Sequence, residues 1–217
     1  MTKLTSVLDG AARWPVHYRK GRLIYDEGEA SKAVYRLDKG CVRLQVNGAE
    51  GDRQIVAFLF PGDLFGLCVD RRNSSAEAVT DVDLTRYTLQ SLLDLSTRSP
   101  EVTIQLMRGA ETLYGELAHH VEQIAHLSAP ERVLWFLHWL GAREPGRSGG
   151  TVRLPMSRRD VADYLGLTQE TLSRVIRQLL TSGEVEARGP RMIVLRRPTV
   201  PLHQLGSDTP EAALSAL

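Results

Sequence analysis

The chain has 217 residues, a formal net charge of +1 and 24% charged residues, which permits one large or two small domains with well-buried cores. It contains no apolar run near the ~20 residues of a membrane-spanning helix, and its first residues lack the basic-then-apolar pattern of a secretory signal. Two distant cysteines indicate reduced thiols rather than a disulfide framework. We therefore expect a soluble cytoplasmic protein that makes no membrane contact.

The basic residues are concentrated in one part of the chain. Residues 147–198 contain ten arginines and five acidic residues, whereas residues 1–146 and the tail from 199 onward are each slightly acidic. A basic block on a near-neutral chain is the pattern expected of a surface that contacts nucleic-acid phosphates.

The first part of the chain is predicted to be rich in short strands. Residues 1–17 form a lead with one candidate helix at Leu4–Ala12, and from Tyr18 apolar runs alternate with glycines. The predicted strands are Arg22–Tyr25, Ala33–Leu37, Val42–Val46, Gln54–Phe60, Ala76–Val79 and Leu84–Leu89. Many short strands at this spacing predict a sandwich or closed barrel over residues 18–99.

The pattern K-G…Y-x-x-G-E…V-Y-R-L-x-x-G-x-V-R-L…P-G-D-L-F-G resembles the cyclic-nucleotide-binding β-roll of the CRP/FNR superfamily of bacterial transcription regulators. Members that bind cyclic AMP carry a glutamate just after the glycine, and further on an arginine for the cyclic phosphate. Here Leu67 and Cys68 follow Gly66, and Arg71 and Arg72 come several residues before the phosphate position. We therefore predict that the protein does not bind cyclic AMP.

The cysteines and histidines do not predict a metal or cofactor. The oxygen-labile iron–sulfur cluster of FNR uses a group of cysteines near its N-terminus, and a cluster needs about four thiolates. This chain has only Cys41 and Cys68, which are interpreted as small apolar residues of the β-roll. A redox-active thiol at Cys68, beside two arginines, and a haem bound by Cys68 or a histidine are the alternatives.

Pro100–Leu127 is predicted to be one long helix. Apolar residues and one histidine recur along it at alternating spacings of four and three, which is typical of a coiled-coil seam. The seam is Leu106, Ala110, Leu113, Leu117, His120, Ile124 and Leu127. Met107, Tyr114 and Val121 widen the stripe on one flank, so that the helix can pack on its own β-roll as well as on a partner. The resemblance implies that residues 100–127 form a homodimer.

The segment 128–198 is predicted to be a winged helix-turn-helix. Ser128 and Glu131 form a capping box that opens a new helix, and the preceding break at 127–129 is a candidate hinge. A short helix then ends at Gly166, and Thr168 caps a second helix. Val185–Leu195 is predicted to form the hairpin wing. The tail 199–217 contains one candidate helix, Pro210–Leu217, to which no role is assigned.

The second of these helices carries the predicted DNA contacts. The candidate base-reading residues are Gln169, Glu170, Ser173 and Arg174, and the candidate backbone contacts are Thr168, Thr171, Arg158, Arg177, Arg188 and Arg191. Arginine can donate two hydrogen bonds to guanine, and a carboxylate can accept one from cytosine. The alternative is a solvated helix face with an ion pair between Glu170 and Arg174.

The sequence GLTQETLSRVIRQL resembles the recognition helix of the CRP/FNR superfamily, and its E-x-x-S-R pattern is similar to the FNR and FixK branch. That resemblance implies a palindrome of the TTGA…TCAA type, read by arginine at guanine, glutamate at cytosine and serine near thymine. It also implies RNA polymerase as a further partner, activation of transcription and, as in FixK-like members, no small cofactor.

The sequence thus predicts an α+β protein with an N-terminal β-roll, a long dimerisation helix and a C-terminal winged helix-turn-helix that binds double-stranded DNA. The competing interpretation is a β-roll enzyme or effector-binding module with a secondary DNA-binding role. It requires a catalytic or metal-binding group of residues within 18–90, and the sequence contains none.

Overall fold

A computed structural model describes residues 7–8, 10–48, 53–143, 150–189 and 191–196. The chain divides into two compact units, Met1–Ala118 and His119–Leu217. The division falls inside the long helix and earlier than the predicted boundary at residue 127. The tail 199–217, with its candidate helix, lies outside the described residues, as do residues 4–6 and 9 of the candidate helix Leu4–Ala12. Of the described residues of that segment, only Val7 is helical.

Two four-stranded antiparallel sheets form the first unit, with strand orders β1-β8-β3-β6 and β2-β7-β4-β5. The strands are β1 (Arg13–Tyr18), β2 (Leu23–Tyr25), β3 (Ala33–Lys39), β4 (Val42–Asn47), β5 (Arg53–Leu59), β6 (Leu64–Phe65), β7 (Ser75–Ala78) and β8 (Val82–Thr88). Both sheets contribute to one apolar core. In β4, Val42 and Leu44 are buried while Arg43 pairs with Glu77 on the other face, which confirms the predicted alternation.

The β-roll begins earlier than the predicted residue 18, because β1 pairs along its whole length with β8. β1 is an edge strand, and its residues are mostly exposed. It also contains Pro15, which an edge strand tolerates because the missing N–H faces no partner. Only Val16 and Tyr18 of this strand are half-buried and pack against the core, so its alternation is too short to have been recognised in the sequence.

Two helices complete the first unit. α1 (Leu89–Ser96) begins at Thr88, whose hydroxyl accepts a hydrogen bond from the Ser91 amide, and it was not predicted. α2 (Pro100–His126) confirms the predicted long helix and continues into the second unit.

The face of α2 that packs on the β-roll includes residues of the predicted dimer seam. Val102 is buried in a second apolar cluster of the first unit, and Leu106 packs against that cluster. Leu113 packs against the core between the sheets. Gly109 permits this close approach, since a Cβ there would lie 3.3 Å from Leu64 Cδ1. Leu106 and Leu113 therefore contact the protein's own β-roll and are half-buried there, and their part in a dimer interface stays a prediction.

The flank of the predicted seam is the exposed apolar face of α2. Ile104, Met107, Tyr114 and Val121 are 49%, 67%, 74% and 65% exposed. Of the remaining predicted seam residues, Ala110 is exposed and Leu117, Ile124 and Leu127 are half-buried.

The second unit contains three further helices and a small sheet. α3 (Ala129–Arg143) contributes six buried apolar residues to its core, and α4 (Arg158–Leu165) and α5 (Gln169–Thr181) follow. β10 (Val185–Ala187) and β11 (Met192–Leu195) form the predicted hairpin, and β9 (Thr151–Arg153) adds an unpredicted strand in the order β10-β11-β9. Among the described residues, no helix has the length and apolar character needed to cross a membrane.

Candidate nucleic-acid interface

Local capping fixes the turn between α4 and α5. Ser157 and Asp160 form a reciprocal capping box at the start of α4, with both amide bonds at 3.1 Å. Gly166 ends α4 in the left-handed region, at φ 62° and ψ 39°, where glycine carries no steric cost. The hydroxyl of Thr168 then accepts from the amide of Thr171 at 3.1 Å and so begins α5. The predicted glycine turn and threonine cap are confirmed.

α5 has one buried face and one open face. The buried face consists of four apolar residues: Leu172, Val175, Ile176 and Leu179. The open face of the first two turns carries the four predicted base-reading residues: Gln169, Glu170, Ser173 and Arg174. Ser173 is half-buried and the other three are exposed. The apolar face thus anchors the helix while its polar face is free for contact.

Glu170 and Arg174 do not pair with each other, contrary to the alternative of an i, i+4 ion pair. In the described part of the chain, neither side chain makes a hydrogen bond or an ion pair. The carboxylate of Glu170 lies in the first turn of α5, where the helix dipole favours a negative charge without a basic partner. Both side chains therefore keep their full hydrogen-bonding capacity for a ligand.

The predicted phosphate contacts fall into three groups. Arg158, Arg177 and Arg191 are exposed. Arg188 is also exposed, but its Nε lies 3.7 Å from a Glu186 carboxylate oxygen. The hydroxyls of Thr168 and Thr171 lie 3.1 Å apart and take part in the α5 cap.

Arg196 binds the same Glu186 carboxylate as Arg188. Its hydrogen bond is the main reason why the pKa of Glu186 is lowered from its usual value, and Arg188 adds a smaller effect. Glu186 therefore remains ionised and pairs with Arg188 in the turn of the wing, and the five N–H donors of this exposed arginine still allow it to contact a phosphate.

His120 belongs to the aromatic core of the second unit rather than to a dimer seam. Its ring is 5% exposed and stacks on Tyr164 of α4, with centroids 3.8 Å apart and an interplanar angle of 8°. Trp135 and Trp139 of α3 extend the same stack. The sequence indicated an aromatic core on α3 but contained no signal that His120 joins it. This corrects the assignment of His120 as an interface residue.

Arg132 connects the helix break to the helix-turn-helix. Its guanidinium donates to the carbonyl of Leu127 at 2.9 Å and to the carbonyl of Leu165 at 3.2 Å. It therefore satisfies orphan carbonyls at the ends of two helices at once. The sequence did not single out this residue.

The buried His120 makes the second unit sensitive to acid. Burial lowers the pKa of His120 to about 4, against the opposing effect of a hydrogen bond to the backbone of Tyr164. In the unfolded chain the pKa is about 6.5, so acid protonates the unfolded state first. The free energy of unfolding is therefore unaffected by this histidine above pH ~6.5. It decreases as the pH falls towards 4, by about 2 kcal/mol at pH 5.

Urea unfolding of the wild type and of His120→Phe at pH 7.5 and pH 5 tests this expectation. The wild type should lose more stability than the variant. His138, whose pKa burial also lowers, is common to both proteins and cancels in the difference. An equal loss in the two proteins would show that His120 does not carry the acid sensitivity.

The segment after β6 differs from a cyclic-nucleotide site. Leu67 and Cys68 follow Gly66 and are half-buried. The guanidinium of Arg71 donates to the carbonyl of Gly28 at 2.8 Å. Arg72 turns into the β-roll, where it is 5% exposed and donates to the carbonyl of Gly66 at 2.6 Å. The chain's own cation therefore occupies this part of the β-roll.

The two cysteines are both free thiols. Cys41 is buried, and the thiol of Cys68 lies 3.7 Å from the Asn73 side-chain oxygen. Within the described ranges, no group of three or more His, Cys, Asp or Glu residues has a metal-binding arrangement.

Comparisons with known proteins agree with this geometry. A cyclic nucleotide-binding domain family matches residues 15–99, and a Crp-like helix-turn-helix domain family matches residues 131–199. With the capped turn and the open face of α5, they define a DNA-binding transcription regulator that carries a cyclic-nucleotide-binding type of domain.

The nitrogen fixation regulation protein FixK of Rhizobium meliloti is 35% identical over 182 residues, which cover 83% of this chain and 82% of that protein. The fumarate and nitrate reduction regulatory protein of Salmonella typhi is 31% identical over 179 residues, 79% of this chain and 70% of that protein. The structure of FixK2 from Bradyrhizobium japonicum superposes with a TM-score of 0.82 at 36% identity, covering 91% of this chain and 98% of that chain. The chain belongs to the CRP/FNR family, in its FixK/FNR group. These relatives are regulators, which decides against a β-roll enzyme.

Proposed function

We propose that the protein binds a TTGA…TCAA-like palindrome as a homodimer and activates transcription from it. The observation that carries this proposal is the unpaired polar face at the start of α5, where Glu170 and Arg174 are exposed and keep all their hydrogen-bonding groups. In the proposed complex Arg174 donates to a guanine, Glu170 accepts from a cytosine and Ser173 lies near a thymine. Gln169 contacts a further base edge.

The dimer forms through the exposed face of α2. Ile104, Met107 and Tyr114 are each about half to three-quarters exposed, and apolar patches of this kind mark interaction sites. A palindromic site requires two copies related by a two-fold axis, which one self-complementary helix face supplies.

The regulator acts in the cytoplasm with RNA polymerase as a further partner, as the FixK and FNR resemblance implies. It does so without cyclic AMP, because Leu67 offers no acceptor for a ribose hydroxyl and Arg72 is directed to main-chain carbonyls. Cys41 and Cys68 then serve as ordinary core and loop residues.

Fluorescence anisotropy with a labelled palindrome tests the proposal. We expect the palindrome to bind at least ~10³-fold more tightly than a scrambled duplex at physiological salt. Arg158, Arg177 and Arg191 of two protomers make about six phosphate contacts, so the logarithm of the binding constant should fall with log salt with a slope of about −5. Equal affinity for both duplexes would refute the sequence assignment, and a flat salt response would refute the phosphate contacts.

A further inference from the structure

Arg72 is a buried cation whose guanidinium meets neutral groups. Its Nη1 donates to the carbonyl of Gly66 at 2.6 Å and its Nη2 to the carbonyl of Ala33 at 2.5 Å. Its Cζ lies 4.1 Å from the ring centroid of Tyr25 and 5.9 Å from that of Tyr35. No ion pair to Arg72 is present among the described residues.

Such an arrangement is costly unless the surroundings favour a cation. Burial raises the pKa of Tyr25, so this side chain remains a neutral phenol and meets the guanidinium with its ring face. Phe65 lies beside both tyrosines, with ring centroids 6.1 Å from Tyr25 and 5.3 Å from Tyr35. Aromatic faces and carbonyl oxygens are the groups that bind planar cations in desolvated sites.

The backbone around Arg72 is shaped to this side chain. Gly66 has φ +75°, and a Cβ on it would lie 2.5 Å from Nη1 of Arg72. The main chain of Arg72 also pairs with the β2–β3 loop: its amide donates to the carbonyl of Glu29, and its carbonyl accepts from the amide of Gly28. One residue therefore holds together the β2–β3 loop, the start of β3 and the segment after β6.

That segment also contacts α2 within the first unit. A Cβ on Gly109 would lie 3.5 Å from Cδ1 of Leu67, the residue that follows Gly66. The Arg72 guanidinium therefore binds Gly66, and the next residue, Leu67, contacts the helix that carries the proposed dimer face.

We propose that the interior of this β-roll is a guanidinium site, formed by Tyr25, Tyr35 and the carbonyls of Ala33 and Gly66, which Arg72 fills from the same chain. The protein thus carries its own effector: the internal cation holds Leu67 against α2, and no diffusible ligand is needed to do so. The part of this inference that concerns DNA binding rests on the proposed function, and the occupancy of the site does not.

Chemical rescue tests the site. Arg72→Ala removes the two side-chain carbons and the guanidinium that N-ethylguanidinium supplies. The variant should unfold about 10 °C below the wild type. N-ethylguanidinium at tens of millimolar should recover most of that loss, whereas ethylammonium, urea or cyclic AMP at the same concentration should not.

Two further variants keep the test decisive. Arg71→Ala removes a neighbouring, exposed arginine that donates to Gly28, and it should show little loss and no rescue. Arg72→Lys keeps the charge but lacks the planar group with two separate nitrogens that donate to the two carbonyls, so its unfolding temperature should lie between those of Arg72→Ala and the wild type. If Arg72→Ala is insoluble, refolding yield with and without N-ethylguanidinium replaces the unfolding temperature.

Wild-type stability in Arg72→Ala, or equal rescue of Arg71→Ala, would overturn the site. Rescue by ethylammonium would show a site for charge alone and would also overturn it. N-ethylguanidinium should in addition restore palindrome binding to Arg72→Ala. Restored stability without restored DNA binding would refute the self-effector role, whereas a wild type that ignores the palindrome would refute the proposed function and leave the guanidinium site standing.

Discussion

Replacing both Met107 and Tyr114 by glutamate is expected to convert the dimer into a monomer that no longer retains its palindrome. These side chains are 67% and 74% exposed on α2, so the substitutions remove no intrachain core. Burial of a large apolar side chain contributes about 1.5–3 kcal/mol, and a two-fold interface buries each of them twice. The loss is at least about 6 kcal/mol, or roughly four orders of magnitude in the dissociation constant.

Sedimentation velocity across a concentration series measures this dissociation constant, and circular dichroism checks that the variant is folded. Thr112→Glu is the matched control, because Thr112 is exposed on the same helix about 140° around the axis from Met107. It should remain dimeric. A double variant that is still dimeric at nanomolar concentration would show that another surface forms the dimer.

The sequence predicted α2 but not which of its faces packs on the β-roll. Heptad spacing identified α2 and both of its apolar stripes, but periodicity gives no sign of which stripe contacts the β-roll. Leu106 and Leu113 pack inward because Gly109, between them, allows the helix to approach Leu64. That choice depends on the surface of the sheet, which a linear pattern does not encode.

The helix-turn-helix was predictable because its signals are local. Gly166, Thr168 and the apolar ladder of α5 lie within a few residues of the contacts they form. Arg72 shows the opposite case. By position it precedes the phosphate ligand of the family, and only the folded β-roll brings its long side chain between Tyr25 and two carbonyls from distant parts of the chain.

Arg174→Ala is expected to abolish discrimination at one symmetric pair of bases in the palindrome. A bidentate arginine–guanine contact discriminates by about 1–3 kcal/mol, and a dimer makes two of them, so the preference should fall by roughly 30-fold to 10⁴-fold. Non-specific affinity should fall only slightly, because other arginines contact the phosphates.

Glu170→Ala should relax selectivity at its own position while non-specific binding holds or rises, since a negative charge is removed from the interface. Ser173→Gly should change the preference at one adjacent A·T pair.

Binding-site selection on the wild type and these variants, followed by anisotropy on single-base substitutions of the palindrome, measures each effect. Arg177→Ala is the matched control: this exposed arginine lies one turn further along α5, beyond the residues that reach base edges. It should weaken binding uniformly across sequences and reduce the salt slope by about two for the dimer. If Arg174→Ala behaves like Arg177→Ala, then Arg174 contacts a phosphate. If Glu170→Ala lowers affinity equally for every sequence, Glu170 acts by stabilising the first turn of α5, and specificity must then come from Gln169, Ser173, Arg174 or the deformability of the DNA itself.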